Sequence, residues 1–164
     1  MQSLKKAALL GSMLLTLSAA SSMASAATFA QAGAAFTASG TIATAVKLLA
    51  WTPVPCTMTL SGQVAADGSS ATINSATFTG NALCGISGPL NLPWALAPTN
   101  ANTATLSGFT EKFPYESCLT PSVLTTQWSA ADGTFSIVSP HTVNATCRVT
   151  TFTFKPSPAL TINP

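Results

Sequence analysis

Apolar and polar residues alternate most regularly between Cys56 and Val64, where Cys56, Met58, Leu60, Gly62 and Val64 are separated by Thr57, Thr59, Ser61 and Gln63. A period of two predicts a β-strand with one face on a core and a Thr/Ser face in water. Asp67-Gly68 follows, a pair suited to a tight turn, and residues 71–79 resume the strand pattern, which predicts a hairpin. Within that second strand the apolar phase slips from Ala71 and Ile73 to Ala76 and Phe78, which places a β-bulge near Asn74-Ser75.

The same grammar recurs along the chain. Leu92, Trp94 and Leu96 share one phase, as do Ala104 with Leu106, Phe135 with Ile137 after Asp132-Gly133, Phe152 with Phe154, and Leu160 with Ile162. Residues 41–51 are ambiguous: Ile42, Val46 and Leu48 suggest a strand, whereas residues 45–50 also suit a helical turn. Eleven prolines and frequent turn residues leave no room for a long helix after the N-terminal region. The expected fold class is therefore all-β, a single antiparallel sandwich or barrel-like domain of roughly eight to ten short strands. Two short echoes, residues 59–62 with 105–108 and 65–68 with 130–133, do not share one period and read as reused turn chemistry, not a solenoid.

The N-terminus has a different character. Lys5 and Lys6 precede an uncharged apolar stretch over residues 7–17, and Ala24-Ser25-Ala26 fits the small-residue rule for signal cleavage. Residues 1–26 thus read as a signal peptide, 27–40 as a candidate mobile N-terminal arm that could also serve as an exchangeable strand, and 41–164 as the all-β domain. The apolar stretch is short of the roughly 20 residues that span a bilayer, and no second long apolar segment follows, so no integral membrane segment is expected after cleavage. The mature protein, about 138 residues, suits one domain with a real core. The implied location is exported, either periplasmic or at the cell surface and beyond.

Cleavage changes the charge. The whole chain carries six Lys and Arg against four Asp and Glu, but Lys5 and Lys6 leave with the leader. Lys47, Lys112, Arg148 and Lys155 then balance Asp67, Glu111, Glu116 and Asp132. A neutral, sparsely charged protein is a poor partner for nucleic acid or acidic lipid, whereas self-association or contact with a hydrophobic surface or ligand is compatible with it.

Four cysteines, Cys56, Cys84, Cys118 and Cys147, remain after cleavage. An even number in an oxidising compartment reads as two disulfides, with three pairings open from sequence. Cys56 with Cys84 and Cys118 with Cys147 is favoured, because each closes a short loop worth roughly 3 kcal/mol in the chain-entropy model. The wide spacing does not suit a zinc site, and neither metal nor cofactor is expected.

Titratable groups able to do catalysis are scarce. His141 is the only histidine and follows Pro140 in an expected turn. Asp67 and Asp132 precede Gly, where their side chains support turn geometry. Glu111 and Glu116 flank Lys112 in an expected loop, a weak arrangement for paired-carboxylate chemistry. No nucleophile elbow, phosphate loop or metal-ligand cluster is present, and the protein is not expected to be an enzyme. Aromatic side chains offer a ligand more: Trp51, Trp94, Trp128 and Tyr115, with Phe113 beside them, would form an apolar-ligand surface if clustered on one side, although core packing accounts for each one singly.

The order Cys56, residues 76–80 (Ala-Thr-Phe-Thr-Gly), Cys84, Leu92-Pro93-Trp94, Cys118, Trp128, Phe135, Cys147 and residues 158–162 (Pro-Ala-Leu-Thr-Ile) resembles the bacterial alkane-oxidation protein activator family, PraB, over nearly the whole mature chain. The resemblance implies a small exported protein linked to growth on long-chain alkanes and found outside the cell or in biofilm material. It implies a non-catalytic accessory role toward hydrophobic substrates and carries over no active site. Two functions follow as expectations: an accessory that aids contact with alkanes at the cell surface, or a structural adhesin, fibre or biofilm-matrix subunit.

Overall fold

The computed structural model describes residues 26–113 and 118–164; residues 1–25 of the proposed leader, Tyr115 and Glu116 lie outside them. In chain order the strands are β1 (Thr28–Phe29), β2 (Ala35–Val46), β3 (Val54–Val64), β4 (Ala71–Gly80), β5 (Gly88–Pro89), β6 (Trp94–Asn100), β7 (Thr103–Lys112), β8 (Cys118–Ser129), β9 (Thr134–Ile137), β10 (His141–Asn144), β11 (Cys147–Ser157) and β12 (Ile162–Asn163), with one short helix, α1 (Ala82–Ile86). Pairing runs β2-β3-β4-β6-β7-β8-β9-β11 and returns from β11 to β2, always antiparallel. The sheet therefore closes on itself as an eight-stranded barrel, with less open edge than a sandwich would keep.

β3 shows why the sequence folds this way. Cys56, Met58, Leu60 and Val64 are buried, while Thr57, Thr59 and Gln63 are exposed. β4 pairs with it through a register shift that leaves Asn74 without an opposite residue, since Ser61 faces Ser75 and Gly62 faces Ile73. This is the expected bulge, and it returns Ala76 and Phe78 to the interior. At the turn between them, Asp67 Oδ1 accepts hydrogen bonds from the Ser69 backbone and hydroxyl.

Large rings fill the interior. Trp94 lies 4.9 Å from Phe109, Phe109 lies 5.8 Å from Phe152, Phe152 lies 5.7 Å from Phe154, Phe154 lies 5.1 Å from Phe135, and Phe135 lies 6.3 Å from Phe29 (ring centroids). Such a chain of edge-on and stacked rings makes the barrel a packed core and not a container. An apolar inside and Thr-rich outside is also the reverse of a membrane-spanning barrel.

Residues assigned from composition to an N-terminal arm are part of this unit. β1 pairs with β12, and residues 35–40 form the first half of β2, in register with both β3 and β11. Phe29 and Phe36, both buried, supply the anchors that an Ala/Gly/Thr-rich stretch otherwise lacks. The ambiguous residues 41–51 divide: β2 runs to Val46, and a single 3₁₀ turn follows at Lys47–Leu49. His141 begins β10 opposite Val149 instead of sitting in a turn.

β9 and β10 lie end to end along one side of β11, Phe135 facing Phe154 and His141 facing Val149. β8 follows β9 only from Thr126 onward. The wall is therefore splayed between the first half of β8 and β10. A second wedge lies above the short β4–β6 pairing, which spans only residues 71–73 of β4; α1 and β5 occupy it, β5 pairing with β7. Each disulfide fastens one of these places. Cys118–Cys147 ties the start of β8 to the start of β11, and Cys56–Cys84 pins α1 to β3, with Cα–Cα distances of 5.6 Å in both. Covalent links thus stand where the backbone ladder is interrupted.

Candidate functional site at the disulfide-bonded end

Strand directions put the β2–β3, β4–β6 and β10–β11 connections at one end of the barrel, together with both disulfides. Several exposed aliphatic side chains gather in that region. Leu48 (60 % exposed) lies in the 3₁₀ turn after β2, Ile86 (55 %) ends α1 two residues after Cys84, and Leu119 (52 %) follows Cys118. The 3₁₀ turn is held by a hydrogen bond from the Lys47 backbone N–H to the Thr146 carbonyl, 2.9 Å, beside Cys147. Helix α1 is capped by Asn81, whose side chain accepts from the Leu83 and Cys84 backbone N–H groups.

Trp51 stands at the same end. Ala50 (φ 52°) and Trp51 (φ 62°) are consecutive left-handed residues, a strained turn that brings the half-buried indole beneath Arg148, 4.0 Å from guanidinium carbon to ring centroid. The exposed Lys47 and Lys112 are also here, Lys112 opposite Gly88 of β5. At the other end, Asp67 and Asp132 occupy the β3–β4 and β8–β9 turns. Lys155, on β11, points outward from the wall. Among the described exposed charges, Lys47, Lys112 and Arg148 thus lie toward one end and Asp67 and Asp132 at the other.

Beneath this end lies a buried acid. Glu111, 1 % exposed, is on β7 and not in a loop; its Oε2 accepts a 2.8 Å hydrogen bond from the Thr44 hydroxyl on β2. Those strands are diametrically opposite in the barrel order, so the bond crosses the interior. Burial raises the carboxyl from 4.5 to about 7, against which the Thr44 hydrogen bond acts in the lowering direction. Its described side-chain partner is a hydroxyl that donates, so the pair links opposite walls of the barrel. Among the described residues no three His, Cys, Asp or Glu side chains come together, and no helix is long and apolar enough to cross a membrane.

The indoles proposed from sequence as a shared surface do not form one. Trp94 is fully buried in the core, its Nε1 donating to the Leu90 carbonyl at 3.0 Å, because residue 94 enters the barrel where Ile73 faces it. Trp128 is half-buried near the opposite end from Trp51, and its Nε1 has no hydrogen-bond partner among the described residues. Phe113 is a core residue. Among the described indoles of the named set, Trp51 is the one at the disulfide-bonded end. An open groove of about 430 Å³ beside Phe36, Gly62, Gln63 and Asn74 lies on the wall away from these residues.

Rings in mutual contact run through the interior of this disulfide-fastened barrel, and a sequence comparison gives its family. The family model described as "Alkane oxidation protein activator PraA/PraB-like" matches residues 1–164. The chain belongs to this family. No curated protein and no solved structure matches it. The PraA/PraB-like family is described by an activating role in alkane oxidation, not by a catalytic reaction. Leu48, Ile86 and Leu119 were the residues the sequence reading missed: each is within two residues of a half-cystine or of β2's last paired residue, a position where strand alternation no longer says which way a side chain points.

Proposed function

We propose that this protein is an exported, non-catalytic accessory that helps cells contact and use hydrophobic substrates, alkanes above all, at the cell surface. Membership of a family described as alkane oxidation activators carries this reading. The core supports a contact role over a carrier role, since a chain of rings from Trp94 to Phe29 runs through the interior. Two disulfides suit an oxidising compartment. The decisive experiment compares growth of a deletion strain on hexadecane and on a soluble carbon source, with fractionation to locate the protein. Slower growth on hexadecane alone, restored by the exported protein, is the expected result; equal growth on both overturns the reading.

A second reading, a fibre or adhesin subunit of the biofilm matrix, has one observation in its favour. Residues 119–125 of β8 pair on one side with β7 and, among the described residues, have no ladder partner on the other, while Leu119 and Val123 are exposed there and Val138 lies exposed in the β9–β10 link. A strand edge of this kind invites addition of another strand. Polymers visible by electron microscopy and abolished by V123K are the expected outcome; monomers at millimolar concentration rule it out.

A further inference from the structure

We infer that the disulfide-bonded end is a docking surface for a hydrocarbon–water interface bearing long-chain carboxylates. The inference rests on the alkane-contact reading above and adds where contact is made and what chemistry the surface must carry. Leu48, Ile86 and Leu119 present flexible aliphatic side chains at this end, and none of the large exposed hydrophobics lies in the turns of the opposite end. Lys47, Lys112 and Arg148 are exposed beside them. Counting Glu116, which the sequence places in the connection between β7 and β8, three cations still outnumber one carboxylate, because Glu111 is buried. Aliphatic tips ringed by cations fit an apolar phase that carries anions at its boundary. Net charge concealed this: the described turns at the far end carry Asp67 and Asp132, so the formal charges of residues 27–164 balance while the two ends differ in sign.

Charge also selects the occupant. A second copy meeting end to end would bring like charges together, which disfavours self-docking here. Carboxylates are the anions that oxidation of an alkane terminus yields, and a fatty-acid film on an oil droplet has a thin polar layer through which short side chains reach hydrocarbon. Anionic phospholipid bilayers have a thicker headgroup layer.

The test uses purified mature protein, hexadecane droplets with and without palmitic acid at pH 8, and phosphatidylglycerol vesicles. Acid-bearing droplets are expected to bind best, with binding weakened by 0.5 M salt. L48S, I86S and L119S should each weaken it about tenfold, and K47Q/K112Q about 25-fold from about fivefold per charge, while K155Q on the wall leaves it unchanged. Circular dichroism confirms folding, and the single variants stand in if a combination misfolds. Droplet binding that ignores both the acid and K47Q/K112Q overturns this inference and leaves the alkane-contact reading in place. Vesicle binding equal to or above that of acid-bearing droplets overturns the assigned occupant. Absence of binding to any droplet overturns both.

Discussion

Replacing Glu111 by Gln probes the barrel's most unusual interior group. The carboxyl is enclosed, with the Thr44 hydroxyl at 2.8 Å reaching it from the opposite wall. Burial holds its folded pKa at about 7, above the 4.5 of a free glutamate. The folded form therefore keeps a proton that the unfolded chain releases. Below about pH 4.5 both states are protonated and Glu111 costs nothing; between 4.5 and 7 the unfolded chain alone ionises and stability falls; above 7 the loss is complete and constant. The interval corresponds to about 3 kcal/mol at 1.36 kcal/mol per pH unit, a large share of a small domain's stability. Asp67 acts in the other direction: hydrogen bonds from Ser69 lower its pKa below 3.8, so its contribution is lost only in more acidic solution. Glu111→Gln retains an acceptor for Thr44 and removes the charge. Urea unfolding of the oxidised protein at pH 4.5, 6 and 8 should show the wild type losing about 3 kcal/mol across the series, with the variant flat and more stable at pH 8. A wild-type profile that does not change, or a variant no more stable at pH 8, would refute an enclosed, uncompensated carboxyl.

Thr44→Val removes the described hydrogen-bond donor to Glu111 and should cost about 1–3 kcal/mol more at pH 8 than at pH 4.5, measured in the same urea series. Gly40→Ala places a Cβ on the Thr153 carbonyl, backbone against backbone across β2 and β11; a loss of about 3 kcal/mol in urea unfolding is expected, and wild-type stability would contradict this register. Cys118→Ser/Cys147→Ser, which opens a cross-link of sequence separation 29, should cost about 3 kcal/mol and raise amide exchange first in β8 and β10, where the wall is splayed.

What was legible in the sequence was local. β3, its hairpin with β4, the bulge at Asn74 and the turn at Asp67-Gly68 follow from a two-residue period and its one slip, and nothing distant was needed to set them. The disulfide pairing followed from short loop length and agrees with the structure. Closure was not legible: whether the sheet ends as a sandwich or a barrel depends on β11 meeting both β2 and β9, long-range pairings that leave no mark in either segment's own alternation. Glu111 was misplaced for a related reason. With register shifts between Leu106 and Phe109 and between Phe109 and Glu111, the consecutive residues Phe109, Thr110 and Glu111 are all buried, and a charged residue read by type alone goes to the surface. The same averaging put residues 35–40 in an arm, because two phenylalanines anchor a stretch that is otherwise small and polar.

The site was the least legible part, and the reason bears on how the molecule works. In a barrel that binds ligand inside, function would be encoded in inward positions, which strand alternation reveals. Here those positions are occupied by rings in mutual contact, so they report packing alone. Side chains free to meet another phase lie where strands stop: Leu48 in a 3₁₀ turn, Ile86 at the end of a five-residue helix, Leu119 at the first turn of a strand beside its half-cystine. Such segments have few ladder hydrogen bonds and would lose their geometry when apolar residues face water. Cross-links at Cys84 and Cys118 hold the segments bearing Ile86 and Leu119, and hydrogen bonding to Thr146 beside Cys147 holds the one bearing Leu48. In the proposed contact role the disulfides link folding to the surface: they hold aliphatic side chains of a Thr-walled barrel exposed at one end.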